Sequence, residues 1–381
     1  MTSPASPILR LPGAVAANDD TSDGTADAAV PWHFGDPFAE QRAAARTVAV
    51  VDRSHREVLA VTGEDRLSWL HLVISQHVTG LHDGAGTEAL VLDSQGRVDA
   101  HLLLAHVGET VWLDTEAGAS ATGARGGTQS LHEYLDSMRF WSKVDVVDVT
   151  AERAVLSVVG PETAAVLDRV GLRVPEQPYG AVGDPGGDVI VRRMPWPGGG
   201  AADLLVPRAE LADWWARLTG GGARPMGTWG FEALRAEARR ARFGVDTDDR
   251  TIPHEVGWVH VAAHVAKGCY RGQETVAKVH NIGRPPRLML LLHLDGSADG
   301  LPETGDPVLL GERAVGRVGT VAQHHELGPI ALALVKRSVP VDAELTAGAA
   351  ERAVPAAIDP DSVPEDTPGL GREAARRLHG A

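Results

Sequence analysis

The chain has 381 residues, of which 43% are hydrophobic and 23% are charged, a composition typical of a soluble globular protein with two or three domains. Its formal net charge of −15 argues against a general nucleic-acid binder, because contacts to phosphates require a basic face. The single cysteine excludes an internal disulfide, the longest apolar runs are far too short for a bilayer, and residues 1–31 lack the pattern of a secretory leader. We therefore expect a cytoplasmic protein that binds neither a membrane nor nucleic acid directly.

The N-terminal part of the chain begins with a segment of low complexity. Residues 1–30 are rich in Ala, Ser, Asp, Thr and Gly with little periodicity, which predicts a disordered tail. The elements predicted after it are a helix over 39–47, a strand over 48–51, a strand over 58–62 and a helix over 63–74. A hairpin follows, with strands over 88–92 and 98–107 joined by a turn at Asp93–Gly96.

The middle of the chain repeats this order of elements. The pattern predicts a helix over 131–138, strands over 144–149 and 154–159, a helix over 160–170, and further helices over 210–218 and 228–242. A strand followed by a glycine and a polar helix start occurs at Gly63 and again at Gly160, so we expect a duplicated split βαβ unit. The glycine-rich loop at 195–201 lacks the fingerprints of phosphate-binding loops.

The C-terminal part is dominated by short strands. From Arg287 onward, alternating strands separated by Gly or Pro turns predict a small β-barrel that ends near Ile358. Residues 359–381 are rich in proline and then basic, which predicts a mobile tail. The predicted division is a tail at 1–30, an α+β region of two units at 31–284, the barrel at 285–358 and a tail at 359–381.

The only cysteine lies in the run Lys267-Gly268-Cys269-Tyr270-Arg271-Gly272-Gln273-Glu274. Neighbouring positive charge stabilises a thiolate, the reactive form of the side chain, and two cations flank this thiol. The glycines allow backbone angles closed to other residues and let a ligand approach the main chain. A free cysteine can also serve as a small core hydrophobe. The polar, glycine-rich surroundings favour a functional thiol.

Cations are concentrated between Arg235 and Arg287 in an otherwise acidic chain. Those between the two ends are Arg239, Arg240, Arg242, Arg250, Lys267, Arg271, Lys278 and Arg284. This segment can steer a small anion toward the cysteine loop, although part of it is expected to be solvated helix surface. In the predicted helix, one turn places Arg235 beside Arg239. The carboxylate of Glu237 can either accept paired hydrogen bonds from an aminopyrimidine edge or form an intrahelical ion pair.

Several histidines invite a metal interpretation that their spacing does not support. His254, Glu255, His260 and His264 do not form the zinc-protease pattern, in which two histidines straddle a glutamate on one helix, so we predict no metal site. The His324-His325-Glu326 run falls in a predicted barrel turn and is expected to be solvated. Iron–sulfur clusters usually take four cysteine ligands, so this chain is not expected to hold a conventional cluster by itself.

The cysteine octapeptide resembles the signature of the YgfZ family, bacterial relatives of mitochondrial iron–sulfur assembly factors. Further stretches follow in the order seen in the wider superfamily, which includes the aminomethyltransferase (T-protein) of the glycine cleavage system. These stretches are Val51-Asp52-Arg53-Ser54-His55, the hairpin at 93–98, Arg235-Ala236-Glu237, Phe243-Gly244-Val245-Asp246, Ile252-Pro253-His254-Glu255 and the segment 281–287. The resemblance covers roughly residues 32–358.

This resemblance implies an α+β, T-protein-like fold with ferredoxin-like split βαβ units and a C-terminal small β-barrel around a central folate channel. It implies tetrahydrofolate as the cofactor, with 31–284 as the aminomethyltransferase-like folate-binding region. Glu237 matches the pterin-binding glutamate of the family. The other residues expected to bind the cofactor are Arg235, Lys267, Tyr270, Arg271 and Gln273. Cys269 is expected to be the functional thiol, within reach of the folate.

Two departures from the transferases bear on the chemistry. Transferases resemble one another in an acidic pair that follows the hairpin turn, whereas here Asp99 falls on the first acid and Ala100 on the second. The cysteine is not a feature of the transferases at the matching loop, which indicates an added thiol function. Aminomethyl transfer from a lipoyl carrier is therefore disfavoured, although Asp99 keeps some one-carbon chemistry open.

The leading hypothesis is a tetrahydrofolate-binding accessory protein that supports assembly or repair of iron–sulfur enzymes and that uses Cys269. Its expected partners are folate and iron–sulfur enzymes or assembly proteins. The family is also associated with tRNA modification, which we attribute to tRNA-thiolating enzymes that depend on such clusters. One alternative is a folate-dependent one-carbon transferase or demethylase that acts on a small amine. Another is a folate sensor or storage module without a thiol role.

Overall fold

The computed structural model describes residues 4–17, 26–123, 127–282, 284–297 and 300–364. The chain divides into two compact units. The first unit comprises Met1–Val73, His77–Ala89 and Ala100–Leu234, and the second comprises Ile74–Gln76, Leu90–Asp99 and Arg235–Ala381. Among the described residues, no helix has the length and apolar character needed to cross a membrane.

The N-terminal two thirds contain the predicted helices and strands in order, together with further strands that were not predicted. The strands are β1 (Val15–Ala16), β2 (Pro31–His33), β3 (Ala49–Asp52), β4 (Glu57–Thr62), β5 (Gly86–Leu92), β6 (Val98–Val107), β7 (Thr110–Thr115), β8 (Ser120–Thr122), β9 (Thr128–Ser130), β10 (Asp145–Asp148), β11 (Arg153–Val159), β12 (Ala181–Gly183), β13 (Ile190–Met194), β14 (Ala201–Pro207) and β15 (Arg224–Met226). The helices are α1 (Pro37–Arg46), α2 (Arg66–Val73), α3 (Leu131–Ser137), α4 (Thr163–Arg169) and α5 (Leu211–Gly220). The predicted helices and the predicted hairpin are each found to within a few residues.

Two sheets organise this part of the chain. One has the strand order β10-β4-β7-β6-β5, and the other has the order β12-β13-β14-β11-β3-β15. In the second sheet, β15 runs parallel to β3 and its other pairs are antiparallel. One face of β11 contributes Ala154, Leu156 and Val158 to a core that helices α4 and α5 complete with Leu167 and Trp215. Helices α4 and α5 therefore cover one face of this second sheet.

The N-terminal segment corrects one prediction. Residues 4–17 were expected to belong to a disordered tail, but they contain a 3₁₀ turn at Pro7–Arg10 and the strand β1, which pairs with β2. The side chain of Ile8 is fully buried in the core beside α5, and the hydroxyl of Ser6 donates to the carboxylate of Asp52. One apolar residue anchors a stretch whose composition carries no other sign of order.

The second unit contains the end of helix α6 (Thr228–Glu237), helix α7 (Gln273–Ile282) and a closed barrel. The barrel strands are β16 (Arg287–Leu294), β17 (Pro307–Leu310), β18 (Arg313–His324), β19 (Gly328–Lys336), β20 (Leu345–Ala347) and β21 (Val354–Ile358). They close in the order β16-β19-β18-β17-β20-β21, and alternate residues such as Leu290 and Leu292 fill the interior. The predicted small barrel is confirmed. The domain boundaries themselves stay predictions. Of the predicted tail at 359–381, residues 365–381 lie outside the described residues.

Helix α6 is shorter than predicted, because it ends at Glu237 instead of Arg242. Arg239 adopts the left-handed conformation (φ 54°), its amide donates to the carbonyl of Ala236, and the amide of Arg240 donates to the carbonyl of Arg235. These two hydrogen bonds are those of a Schellman ending, in which a left-handed residue stops the helix. The prediction that a helical turn places Arg239 beside Arg235 is therefore wrong, because Arg239 lies beyond the helix.

Candidate functional site

The cysteine loop, residues 267–272, is held in place by Lys267. The ammonium group of this side chain, which is only 5% exposed, donates to the carbonyls of Ile74 (2.6 Å) and Gln76 (3.1 Å) and lies 5.0 Å from the centre of the Tyr270 ring. Burial lowers the pKa of Lys267 to about 8. Because its donors point at the protein's own backbone, Lys267 acts as an anchor of the loop in this structure.

The remaining side chains of the loop divide into inner and outer ones. Tyr270 is buried, its hydroxyl lacks a hydrogen-bond partner among the described residues, and burial raises its pKa to about 12. Gln273 uses its amide nitrogen to donate to the carbonyl of Lys267 at 2.9 Å. Arg271 is half-buried, whereas Cys269 is exposed. The loop therefore exposes its thiol to solvent, while its inner side chains hold the backbone in place.

Two glycines allow the tip of the β5–β6 hairpin to approach the cysteine loop. Gly272 has φ 78°, and a Cβ there would lie 2.6 Å from the carbonyl oxygen of Asp93. Gly96 has φ 77°, and its Cβ would lie 2.8 Å from Cβ of Thr275 and 2.9 Å from the carbonyl oxygen of Gly272. Only glycine meets both the left-handed conformation and the close backbone contact. The hairpin turn and the start of α7 therefore pack directly against each other, with their backbones in contact.

The carboxylate of Glu237 stands at the C-terminal end of α6. Its side chain is 49% exposed, and Oε2 lies 3.4 Å from Nε2 of His324, whose side chain is 1% exposed. His324, with a smaller contribution from His325, lowers the pKa of Glu237 below its ordinary value, although partial burial opposes this. The expectation that the His324 run is solvated is wrong for His324 and His325, since both side chains are buried.

Arg235, two residues before Glu237 on α6, has a structural role in this fold. Its guanidinium is buried and donates to Oδ2 of Asp246 at 2.8 Å, to the carbonyl of Arg240 and to the hydroxyl of Thr320. Asp246 also accepts from the amide of Thr320 at 2.7 Å. Arg235 therefore ties the last turn of α6 to strand β18, the strand that ends at His324.

Part of the basic concentration is engaged by contacts within the protein. Arg287 forms a paired contact with Glu255 (2.8 Å from Nε to Oε1 and 2.8 Å from Nη2 to Oε2) and a second one with Asp248. These contacts raise the pKa of Arg287, and those from Arg287 and Thr251 lower the pKa of Asp248 despite its partial burial. Arg235, Lys267 and Arg287 are thus not free to steer an anion. Lys278 and Arg284 are exposed.

Three histidines that the sequence spreads over 27 positions meet in the second unit. The ring of His280 lies 6.3 Å from that of His254 and 5.3 Å from that of His260. Burial, together with His280 and His260, lowers the pKa of His254 to about 4, so His254 is neutral at pH 7. Across the described ranges, no three His, Cys, Asp or Glu side chains are arranged to hold a metal ion.

The structure brings together some of the predicted residues and reassigns others. Lys267, Tyr270 and Gln273 support the loop that exposes Cys269, and Arg235 supports the helix end that carries Glu237. Asp99 is half-buried near the start of β6. Sequence reasoning missed His324 as the neighbour of Glu237. The sequence offered no local signal for this pairing, because the two residues lie 87 positions apart.

Comparisons with known proteins place these features in a family. The family model for the GCVT N-terminal domain matches residues 26–265. An aminomethyltransferase of Nitrosococcus oceani is 28% identical over 343 residues, covering 86% of this chain and 87% of the relative. An aminomethyltransferase of Rubrobacter xylanophilus is 28% identical over 353 residues, covering 87% of each chain.

A solved structure shares the fold over almost the whole chain. The crystal structure of the glycine cleavage system aminomethyltransferase T from Bartonella henselae superposes with a TM-score of 0.79 at 18% identity, covering 95% of this chain and 97% of the other. This likeness confirms the predicted T-protein-like α+β fold with its C-terminal barrel. Because the family model spans well over half of the 381 residues, the chain belongs to the GCVT N-terminal domain family.

Proposed function

We propose that the protein binds a reduced folate, with tetrahydrofolate as the natural ligand, and that Cys269 makes it an accessory factor for assembly or repair of iron–sulfur enzymes. The observation that carries the folate part is the Glu237 carboxylate. It is half-exposed, its ionised form is favoured, and a buried histidine stands behind it. The family membership and the relatives named aminomethyltransferases support the same ligand class.

The carboxylate fits the chemistry of a pterin ring. The 2-amino group and the neighbouring ring N–H of a pterin point in the same direction, and a carboxylate accepts such a donor pair with its two oxygens. Acceptance requires an ionised group, and the lowered pKa of Glu237 meets this condition at neutral pH. Glu237 would therefore hold and orient the pterin end of the ligand. Arg271, at the cysteine loop, is the cation that we assign to the ligand's carboxylate end.

The accessory role rests on the thiol. Cys269 is the only cysteine of the chain, and it is exposed on a loop that Lys267 and the Gly272 contact hold in place. A single thiol supplies one ligand where a conventional cluster needs four, so the proposed role is transient contact with a cluster or its enzyme, not storage. Assignment to the YgfZ family rests on the octapeptide. An effect on tRNA modification would be indirect, through cluster-dependent enzymes.

Anaerobic calorimetric titration with tetrahydrofolate tests the folate part. We expect wild type and Cys269→Ala to bind and Glu237→Ala to lose binding, since only Glu237 is assigned to the pterin. Absence of binding in wild type would remove the folate proposal. For the thiol part, Cys269→Ala is introduced in cells that lack the native copy, and the activity of iron–sulfur enzymes is measured. Full activity in that strain would contradict the accessory role and leave a folate sensor or storage module.

A second candidate is a folate-dependent transferase or demethylase acting on a small amine. The names of the relatives favour it, and so does Asp99, which the chain retains at the position of the first transferase acid. Asp99→Asn separates the two candidates. It is expected to leave the accessory role intact, whereas loss of folate-dependent turnover of an amine in this variant would establish the second candidate.

A further inference from the structure

His324 is the last residue of strand β18 and has two differently engaged ring nitrogens. Nδ1 accepts from the amides of Glu326 (3.2 Å) and Leu327 (3.1 Å), and these bonds close the turn that leads to β19. A ring nitrogen that accepts cannot carry the proton of a neutral imidazole. The proton of neutral His324 is therefore on Nε2, the nitrogen that faces Glu237.

Nε2 is positioned to donate to the carboxylate but does not reach it fully. It is inaccessible to solvent, lies 3.4 Å from Oε2 of Glu237, and has no hydrogen bond of good geometry within the described part of the chain. A buried donor without a good acceptor is costly, and a small rotation of the exposed Glu237 side chain would satisfy it. The imidazole thus favours one orientation of the carboxylate.

Both partners of this contact are held by a common framework. Arg235, two residues before Glu237, donates to the hydroxyl of Thr320, four residues before His324 on the same strand. Asp246 accepts from both Arg235 and the amide of Thr320. Since α6 and β18 are locked together at this point, the fold holds the backbones of Glu237 and His324 at a set separation.

We propose that His324 is a positioning residue that orients the Glu237 carboxylate, so that the site selects ligands with a pair of adjacent N–H donors. This inference rests on the proposed function, in which Glu237 receives the pterin. A carboxylate that is already oriented loses less conformational freedom when the ligand binds, and a ligand lacking one donor leaves an oxygen without its partner.

Two substitutions of similar shape separate the roles of the two ring nitrogens of His324. His324→Asn keeps an oxygen near the position of Nδ1, where it can accept the turn amides, but it removes the donor to Glu237. His324→Gln keeps a nitrogen near the position of Nε2, where it can donate to Glu237, but it removes the turn acceptor. His293→Asn is the matched control, because His293 also lies on the barrel and contacts a carboxylate, that of Asp359, at 2.9 Å.

The first readout needs no folate. The ionisation of the Glu237 carboxyl is followed by NMR in the free protein, and we expect its pKa to return to the ordinary value in His324→Asn while staying lowered in His324→Gln and His293→Asn. An unchanged Glu237 pKa in His324→Asn would overturn the proposal, even if wild type binds folate normally.

The second readout is ligand selectivity. Dissociation constants are measured for tetrahydrofolate and for its 2-desamino analogue, with thermal melting as a check on folding. We expect His324→Asn to weaken tetrahydrofolate binding about tenfold and to narrow the preference over the analogue, with His324→Gln close to wild type. An unchanged preference in His324→Asn would overturn the selectivity role. No folate binding by wild type would instead defeat the proposed function, while the NMR result would still judge the Glu237–His324 contact.

Discussion

Two groups of charged side chains, one from each unit of the molecule, are arranged in opposite ways. In the first unit, Arg192 is fully buried and donates to Asp114 at 2.6 Å and to Asp203 at 2.8 Å, and Arg56 donates to Asp114 at 2.8 Å. In the second unit, Glu237 is half-exposed and has a buried neighbour, His324, on one side. The first arrangement faces only the protein, and the second leaves a carboxylate oriented toward solvent.

The contrast separates charges that hold the fold from a charge available to a ligand. Burial raises the pKa of Asp114, but Arg192 and Arg56 outweigh burial and hold it below its usual range, so the group stays ionised with its oxygens occupied. Glu237 is also kept ionised, yet half of its side chain remains open. A perturbed pKa marks a candidate site only where the perturbed atoms are accessible.

Removing a member of the buried network is expected to have the largest effect. Arg192→Met leaves Oδ2 of Asp203 and Oδ1 of Asp114 buried without the guanidinium that donates to them, so we expect the free energy of unfolding to fall by about 3–5 kcal/mol. Urea denaturation measures this change. Arg250→Met, at a side chain that is 78% exposed, is the control and should change stability by less than about 0.5 kcal/mol. Equal losses of stability in the two variants would contradict the structural role assigned to the buried network.

Acid is expected to weaken the second unit through His254. The pKa of His254 is about 4 in the folded protein and near 6.5 when unfolded, so between these values the unfolded chain binds more protons and stability falls as pH falls. Through this group, the free energy of unfolding falls by as much as about 3 kcal/mol between pH 7 and pH 4. Melting curves from pH 7 to 4 should show a shallower decline in His254→Gln than in wild type. The exposed His82→Gln serves as control, and parallel curves for all three proteins would refute the assignment.

A methyl group at Gly272 is expected to disturb the cysteine loop. Gly272→Ala adds a Cβ 2.6 Å from the Asp93 carbonyl at a left-handed position, so we expect a loss of about 1–3 kcal/mol and an altered rate of Cys269 alkylation. Gly268→Ala is the matched control in the same loop, because its Cβ would meet nothing within 4 Å. A rate unchanged by Gly272→Ala would show that the hairpin contact does not position the thiol.

The smallest effect on stability is expected at the proposed ligand carboxylate. Glu237→Gln keeps the side chain's size and, being half-exposed, should change the free energy of unfolding by less than about 0.5 kcal/mol. Tetrahydrofolate affinity should nevertheless fall, because the amide replaces one of the two acceptor oxygens with an NH2 group, which cannot accept from the second N–H of the ligand. Calorimetry and urea denaturation of the same preparation check both statements. A variant that unfolds readily would place Glu237 with the structural charges of the first unit.

The local sequence pattern predicted the presence of helices and strands better than it predicted where they end and which distant residues they contact. The hairpin, the barrel and some of the other strands follow from alternation and turn residues, whereas the end of α6 depends on Arg239, a non-glycine residue that adopts a left-handed conformation. Order in residues 4–17 depends on the burial of Ile8 against distant residues.

The candidate site shows the same limit. The octapeptide identified Cys269 as the residue to examine, but nothing local indicated that Lys267 donates to the carbonyls of Ile74 and Gln76, 193 and 191 positions away. His324 was predicted to be solvated because turns usually are, and its pairing with Glu237 spans 87 positions. Contacts of this kind depend on tertiary packing, which periodicity does not encode.

The exposure of Cys269 has a practical consequence. A chain with one cysteine, located at the surface, accepts a maleimide dye or a spin label at one defined position without any background substitution. The loop beneath it is anchored by Lys267 and by the Gly272 contact, so the motion of an attached probe would report mainly its own linker and whatever approaches the loop. The wild-type protein is thus its own single-site sensor for small molecules or protein partners arriving at this surface.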